Sequence, residues 1–456
     1  MLTRIEIDGF KTFENFHLDL GPFLVIVGPN ASGKSNLFDA IQLLSRLASA
    51  DLRTAVKGLR GEPHELFRRW SDGTPGDKIS LAVEVLLNPT VRDPWGGDVE
   101  ISHTRIRYDV QIERRHDARG IERLVVAQEY AAPILAMKDK WRPGGNGPSV
   151  SFKQAYMRYR RQKPWLETGD EEGTPIFHIH QDGKAGRKRS AQAAEATVLS
   201  SITSAEFPHL FALREELRSW RFLQLDPGSL RRPSPTTAPE MLEPDGSNLA
   251  TVLARIRAET KTETNPKGAI ADIAADLAAL IPGVLDVGVE EDRQNREYRV
   301  NVTLRDELPF SSRVVSDGTL RVLALLTMLH DPKHRGLVCF EEPENGVHPA
   351  RLKALIRHLR EMVTDPTSEE IDPDEPLSQM LLNSHSPVVL SALAAGDMMF
   401  ADLVSAVDPK AETVNRKTRM RPVLPKDQGE LAPGDIGDYV IRFEVDRYLS
   451  IGARES

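Results

Sequence analysis

Apolar positions open the chain as short strands: Leu2, Ile5 and Ile7, then Phe16, Leu18 and Leu20, then the unbroken run 23–27, which predicts a buried central strand. The period then changes. Leu37, Ala40, Ile41, Leu44 and Leu47 recur at helical spacing, so the glycine-rich residues 28–36 sit between a buried strand and a helix N-terminus. Period two resumes over 79–130, with Ile79, Leu81, Val83, Val85 and Leu87, then Ile106, Tyr108, Val110 and Ile112, then 124–127, and predicts an antiparallel sheet. From 135 to 200 glycine, proline and charge dominate, and this stretch reads as long loops or a partly disordered insertion; His178 and His180 fall on its one strand-like segment and read as strand residues rather than metal ligands.

Helical spacing predominates afterwards. Helices are predicted at 205–220, at 249–257, and where Ile270, Ile273, Leu277 and Leu280 share a face, with a proline-rich break at 232–239. Strand alternation returns at Val287 and Val289 and at Tyr298, Val300, Val302 and Leu304. An apolar helix is predicted at 320–329, then strands at 337–340 and 380–382, with an acidic surface loop at 365–376. The chain shows no internal repeat and no sustained heptads.

Of 456 residues, 40% are hydrophobic and 28% charged, the composition of a globular chain with enough core to fold unaided. The opening residues MLTRIEIDGF lack the apolar run of a secretory signal and no stretch approaches a membrane span, so a cytoplasmic protein with no membrane association is expected. The single cysteine, Cys339, excludes a disulfide framework and a cysteine-clustered zinc site. A net charge of −8 argues against indiscriminate nucleic-acid coating. Two basic segments stand out locally: Arg158, Arg160, Arg161 and Lys163 interleaved with Tyr159 and Trp165, and Lys184, Arg187, Lys188 and Arg189, a pattern that suits a phosphate backbone and stacked bases.

Four motifs carry the chemistry. Gly28, Pro29, Asn30, Ala31, Ser32, Gly33, Lys34 and Ser35, followed by Asn36, satisfy G-x-x-x-x-G-K-[ST], in which backbone N–H groups curl around a phosphate, the lysine reaches the β- and γ-phosphates and the serine hydroxyl ligates Mg²⁺. The strand 337–340 ends in two acids: Glu341 suits Mg²⁺ and Glu342 the attacking water of ATP hydrolysis. His385, in the segment LLNSHSP after the strand 380–382, is placed to sense the terminal phosphate. The fourth motif is SDGTLR, residues 316–321.

In this order, with GFKTF at 9–13, Asn30 and Asn36 around the phosphate loop, and EEPENGVHP followed by SHSP, the chain resembles the ABC-type ATPase heads of the SMC, RecF and Rad50 group, and in particular bacterial AAA-21 or OLD-like ATPases with a compact insertion. The resemblance covers about residues 1–130 and 285–405. It implies an α/β P-loop NTPase fold, a two-lobe head with a mixed central sheet, an antiparallel sheet and a mainly helical insertion. The expected division is 1–134 for the N-terminal lobe, 135–284 for a loop-rich then helical insertion, and 285–456 for the C-terminal lobe and tail. It further implies a homodimer that sandwiches ATP, with Ser316 and Gly318 contacting ATP in trans, Glu342 as catalytic acid, His385 as switch histidine, and residues 344–348 crossing the interface. Gln128 fits the family glutamine near Mg²⁺ less well than it fits a surface strand.

Two departures matter. The family usually has Asp at the position of Glu341, which bears on the hydrolysis rate, and residues 406–456 are too short for a Toprim nuclease domain. A slow, regulatory ATPase acting on a separate effector, a nuclease in anti-phage defence, is the leading expectation. A RecF-like DNA-binding protein of DNA repair is the alternative.

Overall fold

The apolar run at 23–27 forms the strand Phe23–Val27, buried along its whole length, and the helix after the glycine-rich segment spans Lys34–Leu47. These elements belong to a computed structural model that describes the chain except for residues 71–72, 118, 144, 146, 182–183, 409–412, 425–438, 442, 444, 446 and 448–456. The chain divides into two compact units. One comprises Met1–Trp220, Val363–Leu381 and Ala394–Ser456, the other Arg221–Met362 and Leu382–Leu393.

The first unit contains an eight-stranded sheet in the order Lys184–Ser190, Thr174–Gln181, Leu166–Glu171, Glu122–Pro133, Arg105–His116, Lys78–Leu86, Leu2–Asp8 and Phe16–Asp19. All its pairs are antiparallel, as the alternation over 79–130 predicts. Register puts Ile5 opposite Val83 and Ile7 opposite Leu81, and Leu81 opposite Val110, so one face is apolar and buried. The other face is polar, with Arg107 bridging Glu6 and Asp109 at 2.8 Å each.

Part of the segment expected as loops is sheet. Residues 166–190 supply three of the strands. Their residues are mostly polar, and among the described ones only Leu166, Phe177 and Ile179 are buried apolar anchors, so hydrophobic periodicity is weak there and backbone pairing carries the structure. His178 and His180 stand on Thr174–Gln181 beside glutamates of the neighbouring strand, His180 Nε2 being 2.8 Å from Glu167. Among the described residues no group of His, Cys, Asp and Glu is arranged to hold a metal ion.

Phe23–Val27 runs parallel to Met398–Asp408, which pairs antiparallel with Thr413–Leu424, giving the mixed sheet. The helix Lys34–Leu47 buries Leu37, Ile41 and Leu44 and packs against the helix Pro208–Ser219. Among the described residues no helix is long and apolar enough to cross a membrane.

The second unit places the parallel strands Arg221–Leu223 and Gly336–Glu341 side by side, and pairs Val284–Asp292 antiparallel with Glu297–Leu304. The helix Asp317–Leu329 is buried on most sides, as its apolar sequence requires, and packs against the helices Leu249–Thr260 and Ile270–Leu280. Asp276 Oδ2 lies 2.6 Å from Nε2 of His330 and 3.2 Å from that of His358, joining Ile270–Leu280 to the end of Asp317–Leu329 and to Pro349–Glu361. Strand Ser378–Ser384 begins in the first unit and ends in the second.

Candidate functional site

Backbone geometry explains the glycines of the phosphate loop. A Cβ on Gly28 would stand 2.2 Å from the Ala401 carbonyl oxygen, and one on Gly33, at φ 94°, would stand 2.0 Å from Thr418 Oγ1. Only glycine fits at either place. Ala31 also has positive φ, 62°, an unusual conformation for a residue with a side chain and one that tightens the loop. Gly33 caps the helix Lys34–Leu47 without a side-chain bond to its first turn, so the helix start is uncapped by protein and electropositive.

Lys34 is buried and its ammonium donates to the carbonyls of Gly28 and Pro29, both at 2.7 Å. Ser32 Oγ is buried with no hydrogen-bond partner among the described residues. A buried orphan hydroxyl in a glycine-shaped cradle is what a phosphate-binding loop shows without its anion, so these residues fit a nucleotide.

A relay of side chains stands behind the loop. Thr418 Oγ1 donates to the Ser32 carbonyl at 3.1 Å, which commits its one proton, so Thr12 Oγ1, 2.6 Å away, donates to Thr418; Asn36 Nδ2 in turn donates to Thr12 at 2.9 Å. The GFKTF segment therefore has a structural account. Phe10 and Phe13 are buried, Gly9 lies too close to the Lys78 carbonyl to carry a Cβ, Thr12 joins the relay, and Lys11 reaches Asp39 at 2.6 Å. Sequence reading missed Thr12 as a working residue and missed Thr418 altogether; the Thr in GFKTF was the only local signal.

In the second unit Gly336–Glu341 ends at Glu341, which is partly buried. Its charge and, more strongly, burial push the Cys339 thiol well up, so this cysteine stays protonated in the core. Glu342 turns the chain with φ 53°, a strained conformation held because its N–H is shared between the carbonyl and side-chain oxygens of Asn383, both at 3.1 Å. Its carboxylate accepts from Asn345 Nδ2 at 2.5 Å and lies 3.6 Å from His385 Nδ1. Glu342 and His385 are each 43% exposed, so acid and imidazole adjoin and both face solvent.

Glu344, expected only as part of an interface loop, positions the histidine. Its Oε1 accepts from Ser384 Oγ at 2.7 Å and from the His385 N–H at 3.2 Å, while its Oε2 is buried without a partner among the described residues. His348, at the end of the same loop, caps the helix Pro349–Glu361.

Ser316 caps Asp317–Leu329, its Oγ accepting from the Thr319 N–H at 3.2 Å, and is itself exposed. Gly318 is buried, and a Cβ there would lie 1.7 Å from the Gly346 carbonyl oxygen, so the serine-bearing turn rests directly on the backbone of the acid loop. Ser316, Gly318, Glu342 and His385 thus belong to one unit, and residues 28–36 to the other. Gln128 is exposed on Glu122–Pro133, opposite Gln111, in the polar sheet face.

The basic segments are largely committed within the chain. Trp165 is buried, 3% exposed, stacked on His209 with Arg161 over its ring, so it offers no platform to a base; Arg158 hydrogen-bonds carbonyls. Arg187 pairs with Glu206 and Lys188 with Glu171.

Glycine-shaped phosphate loop, mixed and antiparallel sheets, and the pair of acids with a neighbouring histidine define a P-loop ATPase head of the ABC and SMC type. The chain belongs to the family described as "AAA domain, putative AbiEii toxin, Type IV TA system", which matches residues 160–391, and a second AAA-domain family matches residues 4–227. It is 45% identical over 90 residues to structural maintenance of chromosomes protein 1 of Schizosaccharomyces pombe (19% of this chain, 7% of the relative). It is 43% identical over 44 residues to the OLD nuclease of Thermus scotoductus (10% of this chain, 8% of the relative). These matches therefore span less than a tenth of either relative's length. Among solved structures, an Smc head bound to the C-terminal winged-helix domain of ScpA aligns over 92% of this chain and 98% of that chain, at 13% identity and a TM-score of 0.48.

Proposed function

We propose that this chain is an ATP-gated switch: two copies close around shared ATP and reopen after hydrolysis, and this cycle governs a separate effector protein. Lys34 and the amides of the loop bind the β- and γ-phosphates; Ser35 and Glu341 offer the hydroxyl and carboxylate oxygens that Mg²⁺ prefers. When bound, Mg²⁺ neutralises charge that develops on the phosphates. Glu342 orients and deprotonates the attacking water, and His385, fixed through its N–H by Glu344, holds the γ-phosphate in line. Ser316 and the amides following it meet the γ-phosphate carried by the other copy.

The observation that carries this reading is Ser316, exposed at the N-terminus of a buried helix and rigidly joined through Gly318 to the loop that bears the acids. Such a turn is open to a phosphate presented from outside its own unit. Glu341, one methylene longer than the aspartate usual in the resembled family, supports slow turnover of a regulatory kind. The effector reading, a nuclease of anti-phage defence in the cytoplasm, draws on the similarity to an OLD nuclease and on the family description. The commitment of Arg158, Arg187 and Lys188 to partners inside the chain favours it over a DNA clamp.

Glu342→Gln removes the base and keeps the shape. Its hydrolysis should fall by about a hundredfold or more while ATP binding persists, and the ATP-saturated protein should accumulate as a dimer in light scattering. A Glu342→Gln protein that stayed monomeric at saturating ATP would exclude the sandwich.

A further inference from the structure

Residues 342–345 close a turn, the Asn345 N–H donating to the Glu342 carbonyl at 3.1 Å. The turn brings the Asn345 amide back onto the acid that opens it, where Nδ2 donates to Glu342 Oε2 at 2.5 Å. Asn345 belongs to the loop 344–348, expected only to cross an interface. We propose that it is the positioning residue of Glu342: its amide fixes one carboxylate oxygen and thereby sets which way the other faces. The inference rests on Glu342 being the base for the attacking water and adds the group that orients it.

The two oxygens of Glu342 have different neighbours. Oε2 takes the short bond from Asn345, of the kind a charged acceptor makes, whereas Oε1 lies 3.6 Å from His385 Nδ1, beyond hydrogen-bond distance. Among the described residues Asn345 is the one side chain that hydrogen-bonds this carboxylate. A glutamate 43% exposed and otherwise unanchored samples several rotamers, so it stands in line with a water only part of the time. One bond to Oε2 removes much of that freedom and leaves Oε1, on the histidine side, as the oxygen that takes the water's proton.

Asn345 can serve as an anchor because its neighbours in the loop are themselves held. Glu342 is tied through its N–H to Asn383, Glu344 through Oε1 to Ser384 Oγ and the His385 N–H, and Gly346 rests its carbonyl on Gly318, where no Cβ would fit. All these residues lie in one compact unit. The chemistry of position 345 also separates two roles. Aspartate suits a turn as readily as asparagine does, so a residue needed only to shape the loop could be either. Donation to Glu342 requires the amide, since a carboxylate has no N–H to offer and would repel the acid it faces.

The test measures single-turnover hydrolysis of γ-labelled ATP by the full chain, by Asn345→Asp and Asn345→Ala, by Glu342→Gln, and by each position-345 change combined with Glu342→Gln, with ATP affinity and thermal midpoint followed in parallel. Asn345→Asp should slow hydrolysis about tenfold or more at saturating ATP, with affinity and midpoint unchanged, and Asn345→Ala, which removes the donor without adding charge, should also slow it. On top of Glu342→Gln either change should cost less than about twofold, because no base is left to orient. Wild-type hydrolysis in Asn345→Asp, or a loss that repeats in full in the Glu342→Gln background, would overturn the proposal. Wild-type hydrolysis in Glu342→Gln itself would instead overturn the assignment of the base, so the two failures are told apart.

Discussion

One hydroxyl stands behind the phosphate loop. Thr418 Oγ1 both accepts from Thr12 and donates to the Ser32 carbonyl, so Thr418→Val would leave a donor and a carbonyl without partners at the base of the loop. The expected penalty is about 1–2 kcal/mol, read as a roughly tenfold rise in KM for ATP with kcat changed much less, and Thr418→Ser should restore it. Equal loss of kcat in the Val and Ser variants would show the relay to be incidental. The difference in legibility is physical. Lys34, Ser35 and the glycines act through a short backbone turn, so their spacing alone declares them. Thr418 lies 386 residues from Ser32 and serves through a fold contact that no local pattern records. Glu344 was visible as a letter in its motif, but its hold on the His385 N–H emerges only when the two loops meet.

Among elements, two junctions stand out, one at the site and one within the antiparallel sheet. Gly318 and Gly346 lock the start of the helix Asp317–Leu329 to the acid loop, with no room for a methyl group. Gly318→Ala must push these backbones apart; a stability loss of about 1–3 kcal/mol in urea and at least a tenfold fall in phosphate release are expected, and wild-type values for both would show the contact to be slack. The second junction is Glu129, fully buried on Glu122–Pro133, whose carboxylate accepts from the N–H groups of Val198 and Leu199 and from the Tyr108 hydroxyl. Burial raises its pKa from 4.5 to about 7, although those three bonds pull it down. The folded state thus holds this proton more tightly than the unfolded chain. The contribution is fully present below pH 4.5 and is lost as pH rises through 7, a span worth roughly 3 kcal/mol. Glu129→Gln should flatten that part of the stability profile relative to wild type when urea midpoints are compared at pH 5 and pH 8; parallel profiles would refute the assignment. The strands of the sheet interior were legible because one face is apolar. The outer strands, such as Lys184–Ser190, were not, because hydrogen bonding to a neighbour leaves no hydrophobic rhythm.

At the scale of the whole molecule, the break between compact units falls at Trp220 and Arg221, inside the stretch 135–284 expected as one insertion. Composition changes near 135 and again near 200, but cooperative packing follows the sheets. The strands at 166–190 join the antiparallel sheet of one unit, and the helices from 249 to 280 pack in the other. The chain also passes from unit to unit within the strand Ser378–Ser384, so neither unit is one continuous run of sequence. The brace at Thr418 gives this connectivity a temporal meaning. During translation the glycine-rich loop is made first, and the hydroxyl that supports it follows 386 residues later. A nascent chain that has passed the loop but not Thr418 would carry every letter of the nucleotide motif and still lack its support, which ties firm nucleotide binding to synthesis of that later strand.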